Sequence, residues 1–199
     1  MFIQMVQGRC SRQDEMRGLV EDWCGSMAAQ PGWLGGTYGF TDDDRFIGIV
    51  RFDSHNACMD AAKMPDAATY WAAADALCDR GCEVHESEDV SIMLEGGSDR
   101  AGFVQVMRGR VGDADKFRHF MTDAEVTSML HDTRPEIIGA TLAIEQDGSF
   151  IETVAFTSED AARKGEQTEM PAEMQSDFES AMTDVEYLDL HHPWFATHR

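Results

Sequence analysis

The chain has 199 residues, 43% of them hydrophobic and 27% charged, a balance typical of globular proteins and not of disordered, collagen-like or coiled-coil chains. Lys and Arg number 16 against 37 Asp and Glu, and a formal net charge of −21 repels phosphate backbones and excludes nucleic acid as a general partner. No apolar run approaches the roughly 18 residues of a membrane span, and no basic stretch precedes an apolar one at the N-terminus, so we expect neither a membrane partner nor a secretory signal.

The first predicted elements are a strand and a helix. Residues 2–8 form a short β-rich run, and Ser11 is the expected N-cap of the helix that follows it. Apolar side chains then recur at the spacing of one helical stripe: Met16, Leu19, Val20, Trp23 and Met27. Pro31 and Gly32 end this helix.

A hairpin comes next. Its predicted strands cover residues 33–40 and 46–52, and the acidic turn at residues 42–44 joins them. Ser54 then has the position of an N-cap for a second helical region. Pro65 interrupts that region and is expected to kink or split it.

The first half closes with strands. One is predicted near residues 82–86, and residues 90–94 are expected to extend it. The order of elements is therefore βαββαβ.

The second half of the chain repeats the first. The matching segments keep the same order: residues 2–9 and 103–110, 31–37 and 135–141, and 45–54 and 149–158. Asp147-Gly148 is a strong hairpin signal in the second copy, Ser158 matches the cap at Ser54, and Pro171 matches Pro65. We therefore predict two repeats, residues 1–95 and 102–190, joined by a Gly-rich linker and followed by a tail at 191–199.

Each repeat has the order of the ferredoxin-like motif, an antiparallel sheet with both helices on one face. The fold class is α+β. Because the other face of each sheet must also be covered, we expect the two sheets to pack face to face as an intramolecular α/β barrel with helices outside.

The residues that carry a family resemblance are Gly8-Arg9, Gly109-Arg110, Pro31-Gly32-Trp33, Ser54 and Ser158. With these at strand ends, at the hairpin entry and at strand-to-helix junctions, the sequence resembles the dimeric α/β-barrel superfamily, close to the antibiotic-biosynthesis-monooxygenase-like domains. The resemblance covers about residues 2–94 and 103–190. Two separate chains usually make that barrel, so the resemblance implies a fused pseudo-dimer here, as a monomer or a homodimer.

The resemblance also implies a function. Cofactor-free monooxygenases of this family hold a phenolic or enolic substrate between helices and sheet, where the substrate's own anion reacts with oxygen. We therefore expect a small apolar or aromatic ligand and no cofactor or metal. The alternatives are a non-catalytic binding or sensing module and a structural module on the same barrel. Haem degradation is disfavoured, because Gln4 stands where haem-degrading members have Asn and no His lies on the helix near Trp71.

Candidate site residues come mainly from the first copy. Trp71 and His85 are the catalytic candidates: Trp71 as an aromatic pocket wall, and His85 as a general base or an axial haem ligand. The substrate-binding candidates are Gln4, Tyr70, Trp71, Arg51 and Gln105. Gln4 and Gln105 place an amide inside an apolar strand in both copies, whereas the others have no counterpart in copy two. A core Trp, a surface His and amides that bridge backbone remain the alternatives.

The cysteines number five, an odd count, and include no CxxC pair, so they predict neither a disulfide framework nor a zinc site. We expect reduced thiols and a cytoplasmic protein. The tail combines His191, His192 and His198 with two aromatics, and is expected to fold back over a pocket or an open sheet edge.

Overall fold

The computed structural model describes residues 1–168 and 172–197. The predictions for Pro171 and His198 lie outside the described residues. The elements in chain order are β1 Phe2–Arg9, α1 Gln13–Met27, β2 Trp33–Phe40, β3 Arg45–Phe52, α2 His55–Ala61, α3 Ala67–Leu77, β4 Glu83–Ser87, β5 Asp89–Met93, β6 Phe103–Val111, α4 Ala114–Thr122, α5 Ala124–Thr133, β7 Ile137–Ile144, β8 Ser149–Phe156, α6 Glu159–Gly165, α7 Ala172–Ala181, β9 Met182–Leu190 and β10 Trp194–Thr197.

The chain divides into two compact units. The first unit comprises Met1–Glu88 and His192–Arg199, and the second comprises Asp89–His191. None of the described helices is long and apolar enough to cross a bilayer.

The sheet of the first unit has the antiparallel order β10-β2-β3-β1-β4. In β1, Gln4 pairs with Val50 of β3 on one side and with Glu86 of β4 on the other. Its neighbours Phe2 and Val6 share that face and pack against residues of the helices. The helices therefore cover a single face of this sheet, as the ferredoxin-like motif requires.

Local signals explain the start of α2 and the break between α2 and α3 in the first unit. Ser54 caps α2, since its Oγ accepts a hydrogen bond from the backbone N of Ala57 at 3.3 Å. Pro65 falls in the break between α2 and α3. The prediction for Ser11 is wrong: α1 begins at Gln13, and the residue at its N-cap position, Arg12, makes no side-chain capping bond.

The second unit has the corresponding order β5-β7-β8-β6-β9. Ser158 caps α6 by accepting from the backbone N of Ala161 at 3.2 Å, as predicted. The main departure from the first unit is that two helices, α4 and α5, replace the single α1. Asp123 separates them and caps α5 by accepting from the backbone N of Glu125 at 2.8 Å.

The edge strands differ from expectation. Residues 90–94 do not extend β4; most of them lie in β5, which pairs with β7 in the sheet of the second unit. The tail forms β10 along the open edge of β2 in the first unit, one of the two positions expected for it. Edge pairing joins segments far apart in the sequence, so local patterning cannot assign it.

The α+β class and the two ferredoxin-like repeats are confirmed. The predicted ranges 1–95, 102–190 and 191–199 follow the sequence repeat, whereas the compact units divide after Glu88 and after His191 because of the two edge strands. The face-to-face packing of the sheets stays a prediction.

Candidate functional site

A cavity of about 220 Å³ lies between the sheet and the helices of the second unit. For comparison, a cavity of roughly 150 Å³ in a protein core accepts benzene. The walls are mostly apolar, and the lining includes Met93, Met107, Phe120, Met121, Val126, Leu130, Ile137, Val154, Phe156 and Phe178. The space therefore suits an aromatic molecule with a single ring or two fused rings.

Glu152 is the unusual residue of this cavity. It lies in β8, opposite Met107 of β6 and Leu142 of β7, so its side chain shares the apolar helix-facing side of the sheet. Only 7% of Glu152 is exposed, and its carboxyl makes no hydrogen bond or ion pair with any described residue. Burial alone raises the pKa of Glu152 to about 7. A carboxyl in this state can take up or release a proton near neutral pH.

Gln105 adds an oriented amide to the same cavity. Its Nε2 donates to Oδ1 of Asp189 in β9 at 2.9 Å. Oδ2 of Asp189 accepts from Arg163 of α6, which also donates to Glu166 at 3.0 Å. The guanidinium of Arg163 lies 5.1 Å above the ring of Phe103.

Charged groups also line one part of the cavity. Arg134 and Glu166 belong to the lining, and Arg134 donates to the largely buried carboxylate of Glu136. Each of these charges thus has an opposite partner: Glu136 for Arg134 and Arg163 for Glu166. Glu152 is the acid in the lining that has none among the described residues.

In the first unit, the corresponding space between sheet and helices is much smaller, about 40 Å³. Aromatic side chains fill most of the corresponding space. The rings of Trp23 and Tyr70 stack with centroids 4.7 Å apart, and Trp71 lies edge-on to Tyr70 at 5.3 Å. A cavity of this size holds water molecules and no aromatic ligand.

Three of the predicted site residues line this small cavity together: Gln4, Tyr70 and Trp71. The Gln4 Nε2 donates to Glu86 at 2.7 Å and contacts the Cys58 sulfur at 3.6 Å. Burial raises the pKa of Tyr70 well above its usual value. The structure thus brings these residues together around a nearly filled space, and their functional roles stay predictions.

The structure does not bring His85 and Arg51 to that cavity. His85 pairs with Met5, one residue along β1 from Gln4, so it lies on the sheet face opposite Gln4 and Trp71. Arg51 lies on this opposite face as well, and its Nη1 donates to Thr37 at 3.0 Å. Burial lowers the pKa of Arg51. The catalytic candidates Trp71 and His85 are therefore separated by the sheet.

Sequence reasoning missed Glu152 and placed the site in the first copy. The sequence held the signal: in the alternating pattern of its strand, Glu152 lies on the same face as the apolar residues Phe150, Val154 and Phe156. Of the residues described, no group of three or more His, Cys, Asp or Glu is arranged to hold a metal ion. The five cysteines are free thiols, and the sulfurs of Cys78 and Cys82 lie 3.1 Å apart.

Comparison with protein-family models gives no match, and none of the curated proteins matches the sequence. Solved structures do match over the whole chain. A protein from Lactobacillus acidophilus named as a candidate monooxygenase is 15% identical and superposes with a TM-score of 0.75, covering 99% of this chain and 96% of its own.

Two further structures agree. A candidate monooxygenase from Fusobacterium nucleatum is 11% identical with a TM-score of 0.77, over 98% of this chain and 94% of its own. An anthrone oxidase-like protein is 9% identical with a TM-score of 0.64, over 98% of this chain and 93% of its own. Identities this low establish the fold and leave the reaction open. The expected resemblance is confirmed at that level: this chain, with its two repeats, has the fold of monooxygenase-like α/β proteins.

Proposed function

We propose that the cavity of the second unit binds a small aromatic or enolic molecule and that the protein is a cofactor-free monooxygenase. The observation that carries this proposal is the unpaired carboxyl of Glu152, buried in an apolar cavity with a pKa of about 7. A carboxyl that stays unpaired in a core destabilises the fold, and functional sites are where such groups concentrate.

Glu152 would act as general base. Ionised Glu152 accepts the hydroxyl proton of a bound phenol or enol, and the substrate becomes an electron-rich anion. The reacting carbon of that anion, which carries a hydrogen, forms a bond to molecular oxygen. The protonated Glu152 then returns its proton to the distal peroxide oxygen.

The remaining steps balance without a cofactor. The hydroperoxide loses the proton on its carbon, the O–O bond breaks, and water leaves as the carbonyl forms. Overall, CH₂ in the keto tautomer and O₂ give C=O and H₂O, so the substrate supplies all four electrons. The apolar walls, including Phe120 and Phe178, contribute by excluding water from the anion.

Oxygen uptake with a panel of naphthols, hydroquinones and cyclic enols tests the proposal. Glu152→Gln keeps the volume of the side chain and removes the base, so turnover should fall by about 100-fold or more. Glu125→Gln is the matched control, because Glu125 is an exposed acid on α5 of the same unit.

Trp71→Ala forms a further arm of this experiment. A loss on Trp71→Ala with full activity of Glu152→Gln would move the site to the first unit and contradict the proposal. Saturable binding to the second unit with no oxygen uptake from any compound would leave a binding module in place of an enzyme.

A further inference from the structure

Only one orientation of the Gln105 amide satisfies its partner. An ionised carboxylate accepts hydrogen bonds and cannot donate them, so the atom that contacts Asp189 Oδ1 at 2.9 Å must be Nε2. The carbonyl oxygen Oε1 then lies on the other side of the amide. Oε1 accepts no hydrogen bond from any residue that the structure describes, and Gln105 lines the cavity of the second unit.

Arg163 fixes the acceptor side of Asp189. It donates to Asp189 Oδ2 and is itself held by Glu166 at 3.0 Å and by Glu159 at 3.3 Å. Arg163 has only donors, so the atom facing it must stay an acceptor. Arg163 of α6 therefore donates to Asp189 of β9, Asp189 accepts from the Gln105 NH₂, and the Gln105 carbonyl is left as an acceptor at the cavity.

The first unit offers an internal comparison. There Gln4 also donates to an acid, Glu86, at 2.7 Å. The residue that corresponds to Arg163 in the repeat is Met59, which is 47% exposed. Among the described residues, no guanidinium contacts Glu86 in the first unit, whereas Arg163 holds Asp189 in place in the second.

We infer that Asp189 and Arg163 are positioning residues that turn the Gln105 carbonyl toward the cavity, so that the site selects ligands with a second hydroxyl group. This inference rests on the proposed binding of an aromatic hydroxyl compound beside Glu152. Gln105 pairs with Val154, and Glu152 pairs with Met107 on the same face, so the two side chains are diagonal neighbours about 7–8 Å apart at Cα. One ligand hydroxyl faces Glu152, and another donates to Gln105 Oε1.

Two probes separate this hydroxyl from the rest of the ligand: 1,3-dihydroxynaphthalene and its 3-methyl ether. Dissociation constants are measured by calorimetry under nitrogen, so that no turnover interferes. The ether cannot donate at position 3 and leaves Oε1 unpaired, so the full-length wild-type protein should bind the diol about ten-fold more tightly.

Asp189→Asn reverses the polarity. The Asn oxygen must face Arg163, its NH₂ faces Gln105, and the Gln105 amide turns its own NH₂ into the cavity. The preference for the diol should then fall to within about two-fold, while binding of naphthalene stays unchanged. A purely structural defect would weaken all three compounds together.

Arg163→Met, which copies the first unit, should reduce the preference in the same direction and covers the case in which Asp189→Asn does not fold. Glu86→Gln is the matched control in the first unit and should keep the ten-fold preference. Equal binding of diol and ether to the wild type, or a ten-fold preference kept by both variants, would overturn the inference alone. No binding of either probe would overturn the proposed function with it.

Discussion

Glu152 and Gly48 hold the same place in the two repeats, the fourth residue of β8 and of β3. Gly48 lies beneath the ring of Tyr38, and a Cβ at Gly48 would come within 3.1 Å of that ring. Glu152 instead lies opposite Leu142 and faces a cavity. The repeat that holds a carboxyl thus has space in front of it, and the repeat that lacks one is filled by aromatic rings.

Burial of Glu152 makes stability depend on pH. The pKa of Glu152 is about 7 in the folded protein and 4.5 as a free side chain, so the folded state binds its proton more tightly. Stability is therefore highest below about pH 4.5 on account of this group, and falls as pH rises through about 7. The loss amounts to about 3 kcal/mol.

Glu152→Gln removes that loss. Relative to wild type, the variant should gain thermal stability at pH 8, by roughly 5–10 °C for a chain of this size, and little at pH 4.5. Calorimetric melting curves at both pH values measure the difference. Glu125→Gln, an exposed acid, should show no such change, and equal shifts at both pH values would contradict the assigned pKa.

Catalysis should follow the same ionisation in the opposite sense. The base form of Glu152 is the ionised form, so the rate of oxygen uptake should rise tenfold per pH unit below about 7 and level off above it. A steady-state profile of kcat/KM with a naphthol whose own pKa lies well above the range measures this. A profile that is flat between pH 5 and 8 would exclude Glu152 as the base.

The repeats, the βαββαβ order of the first repeat and the caps at Ser54 and Ser158 could be predicted because each depends on local spacing. The edge strands could not. Residues 90–94 follow β4 after a gap of only two residues, and only pairing with β7, some fifty residues further on, assigns most of them to the other sheet. Nor does local patterning predict the break between α4 and α5, which the capping bond of Asp123 marks in the structure.

The candidate site illustrates a second limit. The adjacent aromatics Tyr70 and Trp71 suggest a binding site in the sequence, but large side chains fill space as readily as they line it. In the second unit, aromatic side chains such as Phe120 and Phe178 line the cavity and do not fill it. Glu152 could have been found from its phase in β8, whereas its lack of a partner required coordinates.

The aromatic filling of the first unit can be tested directly. Tyr70→Ala removes the ring that stacks on Trp23 at 4.7 Å and should cost about 3–5 kcal/mol of unfolding free energy. Naphthalene binding to the first unit should partly restore that stability, since the new space joins the existing cavity. Tyr70→Phe keeps the ring and is the matched control. A loss below about 1 kcal/mol for Tyr70→Ala would show that the stack contributes little.

Gly139 in β7 lies against the backbone of Gly96, in the turn that follows β5. A Cβ on Gly139 would lie 1.6 Å from the carbonyl oxygen of Gly96, so one of the two backbones would have to shift. Gly139→Ala should therefore destabilise the second unit by about 3 kcal/mol. Gly18→Ala serves as the control, because Gly18 lies inside α1 and, apart from its chain neighbours and the nearby backbone of its own helix, no atom lies within 4 Å of its Cβ position.

Gly18→Ala should even stabilise the protein, by about 1 kcal/mol, because Ala favours helix more than Gly does. Denaturant unfolding followed by tryptophan fluorescence and by circular dichroism compares the two variants. All four tryptophans lie outside the second unit's own residues 89–191, at positions 23, 33, 71 and 194. Gly139→Ala should accordingly shift the circular dichroism transition, which reports both units, to a lower denaturant concentration. If Gly139→Ala unfolds at the wild-type denaturant concentration, the close approach of Gly96 to β7 does not exist in solution.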